Sequence, residues 1–173
     1  QSLTHPSYYK YKNIKQISFN QFERFEFLGD RVLGLIIASL LVNKFKKLNE
    51  GDLSKKYSYL VQRNFLYKIS NELLIKDILL FNFKKNNSKM LISIFSDTVE
   101  SLIGAIFIDG GYDSAYNFVK KFWNSHLNIK ISKTLDAKTT LQEFSQQKLK
   151  KLPEYKLIKR EGPSHAPIFT ISL

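Results

Sequence analysis

The run from about Gln21 to Phe45 constrains this chain most, because it combines helical apolar periodicity with three acids on one face. Leu28, Val32, Leu35, Ile36, Ser39 and Leu40 recur at helical spacing, the repeat of a helix with one side against a core. Glu23, Glu26 and Asp30, within ERFEFLGD at 23–30, stand three and four apart and share a neighbouring face. Two carboxylates about 4 Å apart repel by roughly 4 kcal/mol at an effective dielectric near 20. A cation is therefore expected beside them. For a lone E-x-x-E, solvated surface acids with Arg24 and Arg31 as counter-charges would be the better reading.

A second acidic pair changes that balance. Asp97 and Glu100, in SDTVESLIGAIFIDGG at 96–111, again stand three apart and lead into an apolar helix of Val99, Leu102, Ile103, Ile106 and Phe107. Two helices that each offer a carboxylate pair from an apolar setting can build an all-oxygen site, the kind that suits Mg²⁺ or Mn²⁺.

These two stretches are similar to the acidic motifs of the bacterial ribonuclease III family, whose signature octapeptide is usually ERLEFLGD. THPSY at 4–8 and EGDLS at 50–54 resemble two further blocks of that family in the right order. Four ordered blocks are a far more specific signal than any one of them. Two departures stand out: Tyr57 where the family usually has Arg, and Phe22 where an Asn precedes the first signature acid.

The resemblance implies a Mg²⁺-dependent endoribonuclease, with Mn²⁺ as a substitute, that hydrolyses double-stranded RNA in rRNA and mRNA processing in the cytoplasm. Carried over, the metal set is Glu26, Asp30, Asp97 and Glu100, of which Asp30 and Glu100 are catalytic and Glu23 is an outer acid. Phe27 matches the aromatic that enters a pocket on a second subunit of a homodimer; by pattern alone it would be core. Two sites across a valley would then make staggered cuts leaving short 3′ overhangs. A catalytically inactive RNA-binding or ribosome-associated protein on the same scaffold is the alternative, although such relatives typically lose the acids kept here. A metal phosphohydrolase that ignores RNA leaves the C-terminal segment without a role.

The rest of the chain adds to this. A formal charge of +12 favours polyanion partners, and because most of it is lysine, recognition of backbone and shape is expected over base reading. The absence of cysteine excludes disulfides and thiolate zinc sites. His5, His126 and His165 show no metal-ligand spacing, and no nucleophile or phosphate-loop motif or small-molecule cofactor motif is visible. The apolar run Val32–Val42 is too short for a bilayer, so no membrane partner is expected. The chain opens on Gln1, which suggests a processed or incomplete N-terminus.

Smaller elements follow from local pattern. His5 reads as structural, and Gly51 as a turn after which Asp52 or Ser54 caps a helix. Asn64 to about Leu74 reads as a short helix, 84–89 as a basic loop, Asp109–Gly111 as a left-handed helix end, and Trp123 as core.

From Asp136 the character changes to helix, strand, turn, strand, with Phe169, Ile171 and Leu173 alternating as in a half-buried strand. Thr140–Glu143 and Gly162–His165 resemble the first half of a double-stranded RNA-binding domain, in which Gln142, Glu143 and His165 meet the RNA minor groove. His165 fits equally a turn residue bonded to backbone. The predicted architecture is an all-α helical endonuclease domain over 1–128, a linker over 129–135 and an incomplete α+β RNA-binding domain over 136–173, its lone strands loosely ordered.

Overall fold

The apolar repeat of residues 22–41 builds a helix that becomes the spine of the N-terminal unit. The computed structural model describes residues 1–12, 19–82, 88–129, 137–161 and 168–172. They form α1 (Pro6–Lys12), α2 (Phe19–Lys44), α3 (Glu50–Val61), α4 (Arg63–Glu72), α5 (Ile75–Ile78), α6 (Ser88–Trp123), a 3-10 turn (Asn124–His126), α7 (Ala137–Leu149), β1 (Lys156–Glu161) and β2 (Ile168–Ser172). Two compact units result, Gln1–Ile129 and Lys130–Leu173.

In α2, Val32, Leu33, Ile36, Ile37, Leu40 and Leu41 are buried. Each such side chain contributes about 1.5–3 kcal/mol over an exposed one. Leu35 departs from the sequence reading: it is 61% exposed, because the buried stripe passes through the paired positions 32/33, 36/37 and 40/41 and leaves 35 on the opposite side.

Helix α6 is the second spine, with Ile94, Phe95, Val99, Ile103, Ala115, Val119 and Trp123 buried. Ser88–His126 is long and apolar enough to cross a membrane by composition, but that apolarity here lines the core. α2 and α6 meet backbone to backbone at two glycines. A Cβ on Gly29 would lie 1.8 Å from the Glu100 carbonyl oxygen, and one on Gly104 would lie 2.1 Å from that of Phe25. Only glycine permits so close a crossing. At Gly111 α6 breaks, with φ 70° and ψ −169°, and then resumes to Trp123. That conformation is essentially reserved for glycine.

Smaller elements lock onto these two helices. The first residues are stitched to the segment after α5 by His5 N donating to Leu80 O at 2.9 Å and Leu80 N to Leu3 O at 3.0 Å. His5 packs edge-on against Phe22, its ring centroid 5.3 Å away, and its Nδ1 accepts from Ser7 N at 3.1 Å, so its role is structural. This ring pair explains the Phe at position 22, which is 1% exposed. The other departure also fits its surroundings: the Tyr57 hydroxyl would stand 2.7 Å from a Cβ at Gly34. Trp123 is fully buried and its Nε1 donates to Leu60 O at 3.0 Å, tying the end of α6 to α3.

Neither Asp52 nor Ser54 caps α3. Asn49 does, its Oδ1 accepting from Asp52 N at 2.8 Å, and Gly51 lies inside the first turn. The Asn side chain two residues earlier takes the cap, so the helix starts before the turn read at Gly51.

In the second unit β1 and β2 pair antiparallel, Leu157 opposite Ile171 and Arg160 opposite Phe169, with an irregularity between Leu157 and Lys159. The half-buried alternation expected at 169–173 is absent from the described residues, since Phe169 and Ile171 are each about half exposed. A two-stranded ribbon has no second layer of its own against which to bury one face. The expected linker beyond Ile129, most of the basic loop at 84–89, Leu173 and the turn at 162–165 with His165 lie outside the described residues.

Candidate metal centre

Because α2 and α6 cross at Gly29 and Gly104, the acids on their facing sides are brought together. Glu26 from α2 and Asp97 and Glu100 from α6 each offer a carboxylate oxygen, and these atoms all lie within 4.8 Å of one another, partly buried. Asp30 stands one turn further along α2 and lines the same open cleft, but its carboxylate is engaged by the adjacent Arg31. Glu23 reaches the cleft rim and is exposed. The structure thus clusters three of the four acids read as ligands and leaves Asp30 at the edge with a counter-charge of its own.

The electrostatics are those of a site short of positive charge. Burial, followed by the repulsion of Asp97 and Glu23, pushes the Glu26 carboxyl up to about 7. Glu100 is raised to about 8, by burial first and then by Asp30, Asp97 and Glu26. Asp97 is raised by burial, but hydrogen bonding holds it back: Ser93 Oγ donates to its Oδ2 at 3.1 Å. An all-carboxylate, half-desolvated donor set of this kind fits a hard divalent cation and does not fit soft metals.

Sequence reasoning missed three contributors. Ser93 is one helical turn before Asp97, a spacing that could have flagged it. Ser96 adjoins Asp97, its Oγ 3.5 Å from Oδ1, while its hydroxyl donates to the Ser93 carbonyl at 2.9 Å. Arg63 comes from α4, its Nη2 3.9 Å from Asp97 Oδ1, and only the packing of α4 on α6 reveals it. Its guanidinium brings one positive charge to the edge of the cluster, whereas the cation expected from the acid spacing was a divalent ion.

Phe27 is 67% exposed, with the Arg31 guanidinium 5.4 Å from its ring centroid. It is not intrachain core. Gln142 lies half-buried on α7, and Glu143 belongs to the same helix.

Residues 1–127 match the Ribonuclease-III-like family, and residues 137–173 match the double-stranded RNA binding motif. The chain belongs to the ribonuclease III family. It is 38% identical over 175 residues to Ribonuclease 3 of Wolbachia sp. subsp. Brugia malayi, covering all of this chain and 71% of that one. It is 40% identical to Ribonuclease 3 of Pelagibacter ubique over 173 residues, 99% of this chain and 74% of that one.

Among solved structures, the nuclease domain of ribonuclease III from Campylobacter jejuni aligns with a TM-score of 0.61 at 35% identity, covering 75% of this chain and 84% of that one. A second structure of the same domain, TM-score 0.58 and 36% identity over 71% of this chain and 85% of that one, is described as flexible in a region involved in dimer formation. As a ribonuclease III, the chain is a metal-dependent endoribonuclease acting on double-stranded RNA, with an all-α nuclease fold followed by an α+β RNA-binding module.

Proposed function

We propose that Glu26, Asp97 and Glu100, joined by Asp30 at the edge of the cleft, hold Mg²⁺, with Mn²⁺ as a substitute, and that Asp30 and Glu100 are the catalytic pair. The observation that carries this reading is the convergence of the three carboxylates on one partly buried point. Bound there, a divalent ion supplies positive charge for phosphate oxygens and acidifies a water.

The chain's own groups prepare the point. Ser93 aims the Asp97 carboxylate and, with Ser96 and Arg63, opposes the rise that burial imposes on it. Glu26 and Glu100, raised to about 7 and about 8, retain protons near neutrality until opposing charge arrives and then release them at their carboxyl oxygens. Glu23, at the rim, adds to the negative field without belonging to the cluster.

Two such chains act as a homodimer in this reading, with the exposed Phe27 as a contact, so that two sites cut opposite strands and leave short 3′ overhangs. Gln142, Glu143 and His165 contact the RNA minor groove, the substrates are rRNA and mRNA precursors, and the enzyme works in the cytoplasm. Replacing Glu100 with Gln keeps the shape and removes the charge. Glu100→Gln is expected to abolish Mg²⁺-dependent cleavage of a long duplex while duplex binding stays near wild type. Unchanged cleavage would refute the assignment.

A further inference from the structure

Five carboxylates gather on this cleft or just beneath it: Glu23, Glu26, Asp30, Asp97 and Glu100. A phosphodiester approaching them is repelled, so donors aimed at phosphate matter as much as the ligands. Arg63, the first residue of α4, lines the same cleft. Its Nη2 is 3.9 Å from Asp97 Oδ1, beyond hydrogen-bond reach, and its side chain is 69% exposed. An ion pair so long and so exposed contributes little to stability, and Asp97 already accepts from Ser93 at 3.1 Å. Structural support for Asp97 is therefore a weak reason for an arginine at this position.

The choice of side chain points the same way. Lysine supplies most of the positive charge, and arginine stands only at 24, 31, 63 and 160. Three of those four border this acidic surface. Arg31 is engaged by Asp30, and Arg24 faces the adjoining hollow with Glu23, Phe27 and Leu28. Arg63 alone of the three stands against Asp97, its planar fork of donors largely open to solvent. Such a fork matches two oxygens of one phosphate, which an ammonium cannot do.

We propose that Arg63 is a positioning residue that receives a backbone phosphate of the duplex at the edge of the metal centre, and that its nearness to Asp97 marks the resting position of the same guanidinium. The inference rests on the duplex-RNA nuclease reading. Its role is to bind and orient the substrate; the metal is held without it.

The test uses the full chain with Arg63→Gln and Arg63→Lys. Duplex binding is followed by fluorescence anisotropy over a salt series with Ca²⁺ in place of Mg²⁺, Mn²⁺ binding by electron paramagnetic resonance without RNA, and cleavage by steady-state kinetics. For Arg63→Gln, weaker duplex binding is expected, with a salt dependence shallower by about one unit on a log–log plot. KM should rise by a larger factor than kcat falls, and Mn²⁺ binding should hold or tighten because a neighbouring positive charge is gone. Arg63→Lys should restore the salt slope and only part of the affinity.

Unchanged duplex affinity and slope, or a loss confined to kcat, would overturn the proposal. So would weaker Mn²⁺ binding in step with a lower melting temperature, the mark of a purely structural residue. Wild-type cleavage of the same duplex in Mg²⁺ is run alongside. Its failure would sink the nuclease reading, whereas wild-type cleavage with an indistinguishable Arg63→Gln sinks this inference alone.

Discussion

Gly29→Ala tests how the crossing of α2 and α6 builds the metal centre. The added methyl carbon would lie 1.8 Å from the Glu100 carbonyl oxygen and 2.8 Å from the Gly104 amide nitrogen. Carbon and carbonyl oxygen approach to about 3.3 Å at the closest, so the helices must part by about 1.5 Å. Both sides of the clash are helix backbone, and no side-chain rotation relieves it. Overpacking of this kind costs about 1–3 kcal/mol. Each kcal/mol lowers Tm by about 2–4 °C for a chain of this size.

The catalytic cost should be larger than the stability cost. The backbone pushed away is that of Glu100 itself, and a displacement of about 1 Å at a reacting centre can cost on the order of a hundredfold in rate. Calorimetry gives Tm, and single-turnover cleavage of a short duplex gives the rate at a temperature where the variant remains folded. Gly104→Ala strikes the same crossing from the other helix, with its Cβ 2.1 Å from Phe25 O. The double variant should therefore lose less than the sum of the two. Wild-type Tm and cleavage in Gly29→Ala would refute the reasoning.

Other outcomes follow from the same geometry. Glu26 and Glu100 are raised from about 4.5 in the unfolded chain to about 7 and about 8 when folded. Without metal, their contribution is therefore full below pH about 4.5 and is lost as pH rises through 7 and 8. Mg²⁺ binding reverses the trend, because it needs the ionised forms. Tm measured from pH 5 to 8.5 should show this metal-free decline, blunted in Glu100→Gln; an identical pH dependence in the two proteins would contradict it. Gly111→Ala forces φ 70°, ψ −169° on a residue with a Cβ and should cost about 1–3 kcal/mol in urea unfolding, with space around it not at issue. Phe27→Glu should shift sedimentation towards the monomer, since the ring is exposed on its own chain and its loss leaves the core intact.

The division between what sequence decided and what tertiary structure decided follows from the range of each interaction. Spacing within one helix fixes direction around its axis, so the shared face of Glu26 and Asp30 and the pairing of Asp97 with Glu100 were readable from residue order; in the buried stripe of α2, Leu33, Ile37 and Leu41 were missed, while Val32, Ile36 and Leu40 were legible. So was the need for glycine near Asp109–Gly111, where the local pattern demanded a break. The repeat alone could not settle Leu35, because an apolar residue at helical spacing lies inside or outside according to which side the partner helix occupies.

The same limit applied to the metal centre. How near Glu26 comes to Asp97 and Glu100 depends on a helix crossing that two glycines allow, and the residues flanking Gly29 and Gly104 do not announce it. Arg63 enters only because α4 packs on α6, and Asp30, paired with Arg31, lines the cleft outside the three-carboxylate cluster. Residue order specified which charges this protein carries and on which faces. The packing of backbone against backbone set the distances between them, and Coulomb energies and ligation depend on those distances.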